Sequence, residues 1–350
     1  MDDAKNISEN IKRYRYQNKI TQEELAHKSG VALATIKKIE TGKSAGIRRK
    51  TAEAIAYALS VDMNSLLAPA RKLTTIRFRS CRNMRSKESV ISYIINKLDR
   101  YNKLESLTDS YLPENYKTVE PVAGPAENAI ILRTLAGLDN ISPVLDISRT
   151  LSMLGIKLFS ASVNTDKFFS LSVGVKDGGP AVIVNNNDRL TYEQLLFSIA
   201  HEVGHFIMHS ERLQEINNEI IWSEEDEADL FASHFIMPEE GLNIYWNSGK
   251  GLHWTDRVIK VKQIFGVHYK TVLYRLGNFD RLYECFLKEY KNGELKDDRD
   301  PEPLNRKLYI EERMYSMAVK AVNEKKITVT EGSEILNISK ADMKKFVQSL

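Results

Sequence analysis

The chain has 350 residues, 42% of them hydrophobic and 28% charged, with a formal net charge of +3. That is ample apolar material for more than one globular core, while only two cysteines, Cys81 and Cys285, exclude a disulfide framework and a thiolate metal cluster. The opening residues Met1-Asp2-Asp3-Ala4-Lys5-Asn6 are acidic and polar where a secretory leader is basic then apolar, and no apolar run reaches bilayer-spanning length, so a cytoplasmic protein without a membrane partner is expected.

The small net charge hides an asymmetry. Residues 1–87 hold 19 Lys and Arg against 8 Asp and Glu, and the remainder holds 31 against 39. A basic N-terminal part suggests a polyanion partner, and the acidic remainder argues against a chain that coats nucleic acid along its whole length.

From Ile7 to Leu67 the pattern is one of short helices. Ile11 and Tyr14 mark the apolar stripe of a first helix that fades at Asn18-Lys19. Thr21 and Glu24 form a capping box for a second, with Leu25 and Ala26 facing inward and Ser29-Gly30 ending it. A third, about Ala32 to Glu40, buries Ile36 and Ile39 and exposes Leu33, Ala34, Lys37 and Lys38. A later helix, Thr51 to Leu59, adds Ala54, Ile55, Ala58 and Leu59 to the same core, followed by Val61 and Leu66. Two helices joined at a glycine, with lysines on the second, form a helix-turn-helix whose second helix suits the major groove.

Thr21-Gln22-Glu23-Glu24-Leu25-Ala26, Gly30-Val31, Ile36, Ile39-Glu40 and Gly42-Lys43 resemble the lambda-repressor-like, Xre-type family. The resemblance implies that Gln22 contacts the DNA backbone and that Leu33, Ala34 and Lys38 face base edges; Lys37, on the same exposed face by the helix pattern, is counted with them as a DNA-binding residue. Ala32-Leu33-Ala34 departs from the pattern by offering few hydrogen-bond donors, which leaves thymine-methyl contacts as a means of reading bases. The following stretch, 68–87, holds seven basic residues and no acid before Glu88, and Thr74 to Arg79 alternates like a strand.

Thr191 and Gln194 cap a helix that runs through Leu195, Leu196, Phe197, Ile199, Val203, Phe206 and Ile207, apolar nearly all round and so expected to be buried. His201 and His205 lie one turn apart on it and can share a metal ion, and Glu202 is offset by about 100°, within reach of a water beside that ion. Buried imidazoles and a carboxylate on an apolar helix are expensive without a partner, and a cation removes the conflict. Zinc with an open coordination position needs one more protein ligand. The candidate is Glu225 on a second helix started by Ser223 and Asp226, with Asp229 one turn on as acceptor from a ligand imidazole, fixing its tautomer. Glu227 is the alternative ligand. His209 rises about 12 Å from His201 along the axis, too far to join them, and is read with Tyr192 as a rim or substrate contact. His27, His234, His253 and His268 receive no role.

Ala200-His201-Glu202-Val203-Gly204-His205-Phe206-Ile207-Met208-His209, Glu225-Asp226-Glu227-Ala228-Asp229-Leu230-Phe231-Ala232 and Ile236-Met237-Pro238 resemble the ImmA/IrrE metallopeptidases over about residues 128–280. The resemblance implies a zinc endopeptidase with Glu202 as base, acting on a transcriptional repressor or related regulatory protein. The run Pro180 to Asn185 is read either as an edge strand for an extended peptide or as an ordinary sheet strand. Beyond Gly241 the chain is helical, and its last helices resemble another small helix-turn-helix module whose mixed charge favours packing over a second DNA reader.

The expected architecture is α+β and mostly helical: a five-helix helix-turn-helix domain at 1–67, a basic linker and helical connector at 68–127, a gluzincin-like zinc peptidase core with a small β-sheet at 128–245, and a helical module at 246–350. The expected partners are DNA, through residues 1–67, and a protein substrate of repressor type, with a homodimer left open. The competing readings are a transcription factor whose metal domain senses a ligand or metal without hydrolysis, and an antitoxin-type regulator.

Overall fold

In the computed structural model the described residues are 2–18, 20–44, 46–70, 73–78, 87–118, 124–161, 169–186, 190–209, 222–295, 299–308 and 310–349. They divide into two units, Met1–Leu73 with Arg82–Arg100, and Thr74–Cys81 with Tyr101–Leu350.

The first unit contains α1 (Asp2–Gln17), α2 (Gln22–Ser29), α3 (Leu33–Glu40), α4 (Arg49–Leu59) and α5 (Met63–Leu67). Thr21 and Glu24 exchange the two bonds of a capping box at the start of α2, and Gly30 turns the chain at φ 67° before α3. Ile11, Leu25, Ile36, Ile39, Ile55, Leu59 and Leu66 are buried together. Arg15 clamps α1 to α3 through a two-pronged bond to Glu40, Nε to Oε1 at 2.6 Å and Nη2 to Oε2 at 2.9 Å.

The second unit is built on a four-stranded sheet. Its strands are β1 (Ile76–Phe78), β2 (Lys157–Ala161), β3 (Ser170–Val173) and β4 (Ala181–Asn185), in the order β1-β3-β4-β2. β3 runs antiparallel to both β1 and β4, and β4 runs parallel to β2, with Ser170 opposite Val184 and Lys157 opposite Ala181. β1 comes from the stretch assigned to the connector by sequence, where the period-2 alternation of 74–79 already hinted at a strand. The basic residues Arg71, Lys72, Arg79, Arg82 and Arg85 lie outside the described residues.

Pro180 to Asn185 is not an edge strand. β4 is flanked on both sides, and all five of its residues are buried. An interior strand covered on both faces reads as a continuous apolar run, which Ala181-Val182-Ile183-Val184 is.

The helices of this unit include α6 (Lys87–Thr108, whose C-terminal part belongs to it), α7 (Pro125–Leu135), α8 (Ile147–Leu154), α9 (Tyr192–Met208), α10 (Trp222–Ile236), α11 (Glu239–Ser248), α12 (Trp254–Phe265), α13 (Tyr269–Leu276) and α14 (Phe279–Glu289). α9 lies on β3 and β4 and packs against α10, which packs in turn on α7. Fourteen residues of α9 are buried, as its unbroken apolar character requires. Three further helices, α15 (Glu312–Asn323), α16 (Val329–Leu336) and α17 (Lys340–Ser349), pack on one another at the C-terminal end.

A buried charge network holds the segment before these last helices. The fully buried Lys262 ammonium of α12 donates to Glu193 of α9 at 3.1 Å, to Asp300 at 2.8 Å and to the Glu302 carbonyl. The same Glu193 oxygen accepts from the Leu304 main-chain N–H at 2.8 Å. No helix among the described residues is long and apolar enough to cross a membrane.

Candidate metal centre

α9 brings His201 and His205 to one face, and α10 lays Glu225 against them. The two Nε2 atoms are 2.9 Å apart, and the Glu225 carboxylate oxygens lie 3.2 Å from Nε2 of His201 and 3.3 Å from Nε2 of His205. Ligand atoms of a tetrahedral zinc site with bonds of about 2.0–2.1 Å are separated by roughly 3.3 Å, so the two nitrogens and the carboxylate outline one face of such a site. Both imidazoles are buried, and Glu225 is about one-fifth exposed.

The protons argue for the same occupant. The Nδ1 of His201 lies 2.6 Å from an Asp229 carboxylate oxygen, so that nitrogen carries the hydrogen and Nε2 presents a lone pair toward His205. A cation central to the three groups satisfies all of these atoms at once. Burial opposes ionisation of Glu225, but the facing His201 and His205 outweigh it and hold the carboxyl far below the ordinary range.

Two devices bring α10 close enough. At Gly204 an added Cβ would stand 2.9 Å from Cδ1 of Phe231 and 3.3 Å from Cα of Ala228, so the glycine inside the histidine motif is what lets the two helices meet. At the other end of α10 two buried guanidinium groups take up carbonyls. Arg133 donates to Phe235 at 2.6 Å, and Arg275 donates to Ser233 at 2.9 Å and Met237 at 2.6 Å. The bond to Phe235 satisfies an acceptor near the helix end, and Arg275 adds a second donor to the Ser233 carbonyl, which also accepts from the Met237 N–H at 3.1 Å. Ser223 lies inside α10, which already includes Trp222, and so is not the N-cap that the sequence suggested.

Glu202 is fully buried beside this triangle, and its Oε1 accepts from the Ser170 hydroxyl of β3 at 2.8 Å. His209 is buried rather than exposed on a rim. Its Nδ1 is 3.1 Å from Nδ1 of His205, and its Nε2 is 2.8 Å from Glu227. Glu227, the alternative ligand, is thus directed to His209 and is not among the three groups that converge. Tyr192 is not brought to the centre either. It sits in the first turn of α9, about 14 Å along the axis from His201, and packs beside Gly266.

Sequence reasoning missed Ser170, the His209 relay and both arginines. Ser170, Glu227 as the partner of His209, and the carbonyls that Arg133 and Arg275 reach on α10 are all brought in by folding from distant parts of the chain.

In the first unit Lys37 and Lys38 of α3 are exposed with Ala34, and Leu33 is half-buried. The Gln22 amide donates to Glu40 at 2.8 Å at the start of α2.

Taken together, these features describe a helix-turn-helix module and a separate mixed α/β domain with a His-His-Glu ligand group. Residues 152–277 match the family model of the IrrE N-terminal-like domain of the M78 peptidases, and residues 11–66 match that of a helix-turn-helix domain. The chain therefore carries a peptidase-family domain downstream of a helix-turn-helix domain. No curated protein and no solved structure matches it.

Proposed function

We propose that this protein is a DNA-binding regulator whose second unit is a zinc-dependent endopeptidase acting on a transcriptional repressor or a related regulatory protein. The observation that carries the proposal is the convergence of His201, His205 and Glu225 beside a buried Glu202. The donor set fits zinc in number, type and spacing. When bound, zinc supplies Lewis acidity that polarises a peptide carbonyl and makes water easier to deprotonate.

The remaining work falls to the chain's own groups. Glu202 takes a proton from water and returns it to the leaving amine, while the Ser170 hydroxyl orients its carboxylate. Asp229 fixes the tautomer of His201, and His209, itself bonded to Glu227, supports His205. Lys37 brings α3 to DNA phosphates, with Gln22 at the DNA backbone and Leu33, Ala34 and Lys38 against bases.

The test is Glu202→Gln, which keeps the ligands and removes the base. Full-length protein loaded with zinc is incubated with protein from its native host, and new N-termini are sequenced. Cleavage sites present with the wild type and absent with Glu202→Gln, at equal zinc content, support hydrolysis. Identical N-termini from both would defeat the peptidase reading and favour a domain that senses metal or ligand without hydrolysis.

A further inference from the structure

The C-terminal helices repeat the geometry of the N-terminal reader. α2 and α16 are both eight residues long, and each starts from a threonine whose hydroxyl accepts from the third helical N–H while a glutamate there accepts from the threonine's own N–H. The pairs are Thr21 with Glu24 and Thr328 with Glu331. Each helix ends on a left-handed residue, Gly30 at φ 67° and Asn337 at φ 56°. In both cases the next helix begins three residues later, at Leu33 and Lys340, and its fourth residue, Ile36 or Met343, is fully buried. The next two positions are exposed lysines in both: Lys37 and Lys38 in α3, Lys344 and Lys345 in α17.

Exposure of the second helix separates this pair from another helix-turn-helix outline in the same unit. α12 and α13 are also joined through a left-handed glycine, Gly266, but α13 buries Tyr269, Val272 and Leu273 and exposes only Tyr274. That helix is part of a core. Among the described side chains of α17, only Met343 is buried.

The charge that looks mixed along the sequence is sorted in space. The acids Glu331 and Glu334 belong to α16, and Glu331 is engaged by the main-chain N–H of Thr328 at 2.7 Å. Lys340, Lys344 and Lys345 belong to α17, against one acid, Asp342, which accepts from the Ser339 hydroxyl at 2.6 Å. Where α3 begins at the apolar Leu33, α17 begins with the exposed Lys340, so it offers a charged hydrogen-bond donor at the end of the helix that meets base edges. Gly332 permits the tight approach that sets the two helices, since a Cβ there would stand 3.0 Å from Met343 and 3.2 Å from Val322.

We infer that α16 and α17 form a second helix-turn-helix that binds duplex DNA, with α17 entering the major groove. Neither the metal centre nor hydrolysis is needed for this binding.

The test uses full-length protein carrying Lys37→Ala and Lys38→Ala, which removes the exposed lysines of α3, and fluorescent 30-base-pair duplexes of randomised sequence titrated across a salt series. This background should still bind duplex DNA. Adding Lys340→Ala, Lys344→Ala and Lys345→Ala should weaken binding at least tenfold at low salt. It should also flatten the dependence of log affinity on log salt by about 2–3, close to 0.9 for each phosphate that is no longer neutralised. Replacing the three by arginine should preserve binding. All three lysines are exposed, so thermal melting is expected to stay unchanged. No duplex binding by the background, or affinity and salt slope unaltered by the alanine triple, would overturn the inference. So would loss of self-association with DNA affinity intact, which would make α17 an interface between copies of the chain.

Discussion

Gly204→Ala offers the sharpest physical test of how the metal centre is assembled. The new methyl would sit 2.9 Å from Cδ1 and 3.2 Å from Cγ of Phe231, and 3.3 Å from the Ala228 backbone, whereas relaxed carbon contacts lie near 3.5–4.0 Å. Phe231 cannot swing clear, because it is fully buried and stacked on Phe235 at 5.7 Å. α10 must therefore withdraw by roughly half an ångström or more, carrying Glu225 with it, while metal ligands tolerate about 0.2 Å. Overpacking costs about 1–3 kcal/mol, and replacing a mid-helix glycine returns about 0.5–1 kcal/mol, so the net loss of folding stability is about 0–2.5 kcal/mol. Zinc binding should suffer more clearly, by about 10–100-fold, the range seen when the supports of metal ligands are disturbed. Competition against a fluorescent zinc chelator reads this out. Adding Phe231→Leu, which shortens the obstructing ring, should restore most of the affinity. A folded Gly204→Ala protein that binds zinc within twofold of wild type would refute the close-approach argument.

Other perturbations probe different parts of the molecule. Zinc at a hundredfold excess over its dissociation constant should stabilise the second unit by about 2.7 kcal/mol. That gain should vanish in Glu225→Ala and be absent with magnesium, as thermal melts would show. Arg133→Met removes a buried cation that donates to the carbonyls of Asp139, Ser142 and Phe235 and should cost about 3 kcal/mol in urea unfolding. Burial, and then Arg275, push the His234 pKa down to about 4. Between that value and the ordinary 6.5 the unfolded chain binds more protons than the native one, so stability is whole above about pH 6.5 and falls as pH drops toward 4. The expected loss, discounted for partial exposure, is about 1–3 kcal/mol, and urea midpoints across this range should flatten in His234→Phe. Glu40→Ala leaves the Arg15 guanidinium buried without its carboxylate and should destabilise the first unit by about 3–5 kcal/mol, read as an earlier melting transition.

What could be read in advance was whatever depends on short-range periodicity. The helices of the first unit, the Thr21 and Thr191 capping boxes and the buried character of α9 all follow from spacing within about ten residues. The Glu225 and Asp229 pair was legible for the same reason, since four-residue spacing fixes a helix face. The errors arose where tertiary partners decide. The apolar run Ala181 to Val184 of β4 looks alike whether a strand has one neighbour or two, and only its place between β3 and β2 makes it interior. Tyr192 shares a helix with His201, but axial rise separates them. His209 looked like a surface residue because its partner Glu227 lies beyond a stretch of sequence with no regular pattern.

The Lys262 network has a practical consequence for where this chain can be cut. The family match ends at residue 277, but Asp300, Glu302 and Leu304 supply the far side of a buried charge cluster whose near side, Glu193, opens the helix bearing both histidines. A fragment stopped at the match boundary would strip a sealed ammonium and its carboxylate of half their shell, so a minimal fragment carrying the peptidase-family domain must run past Leu304.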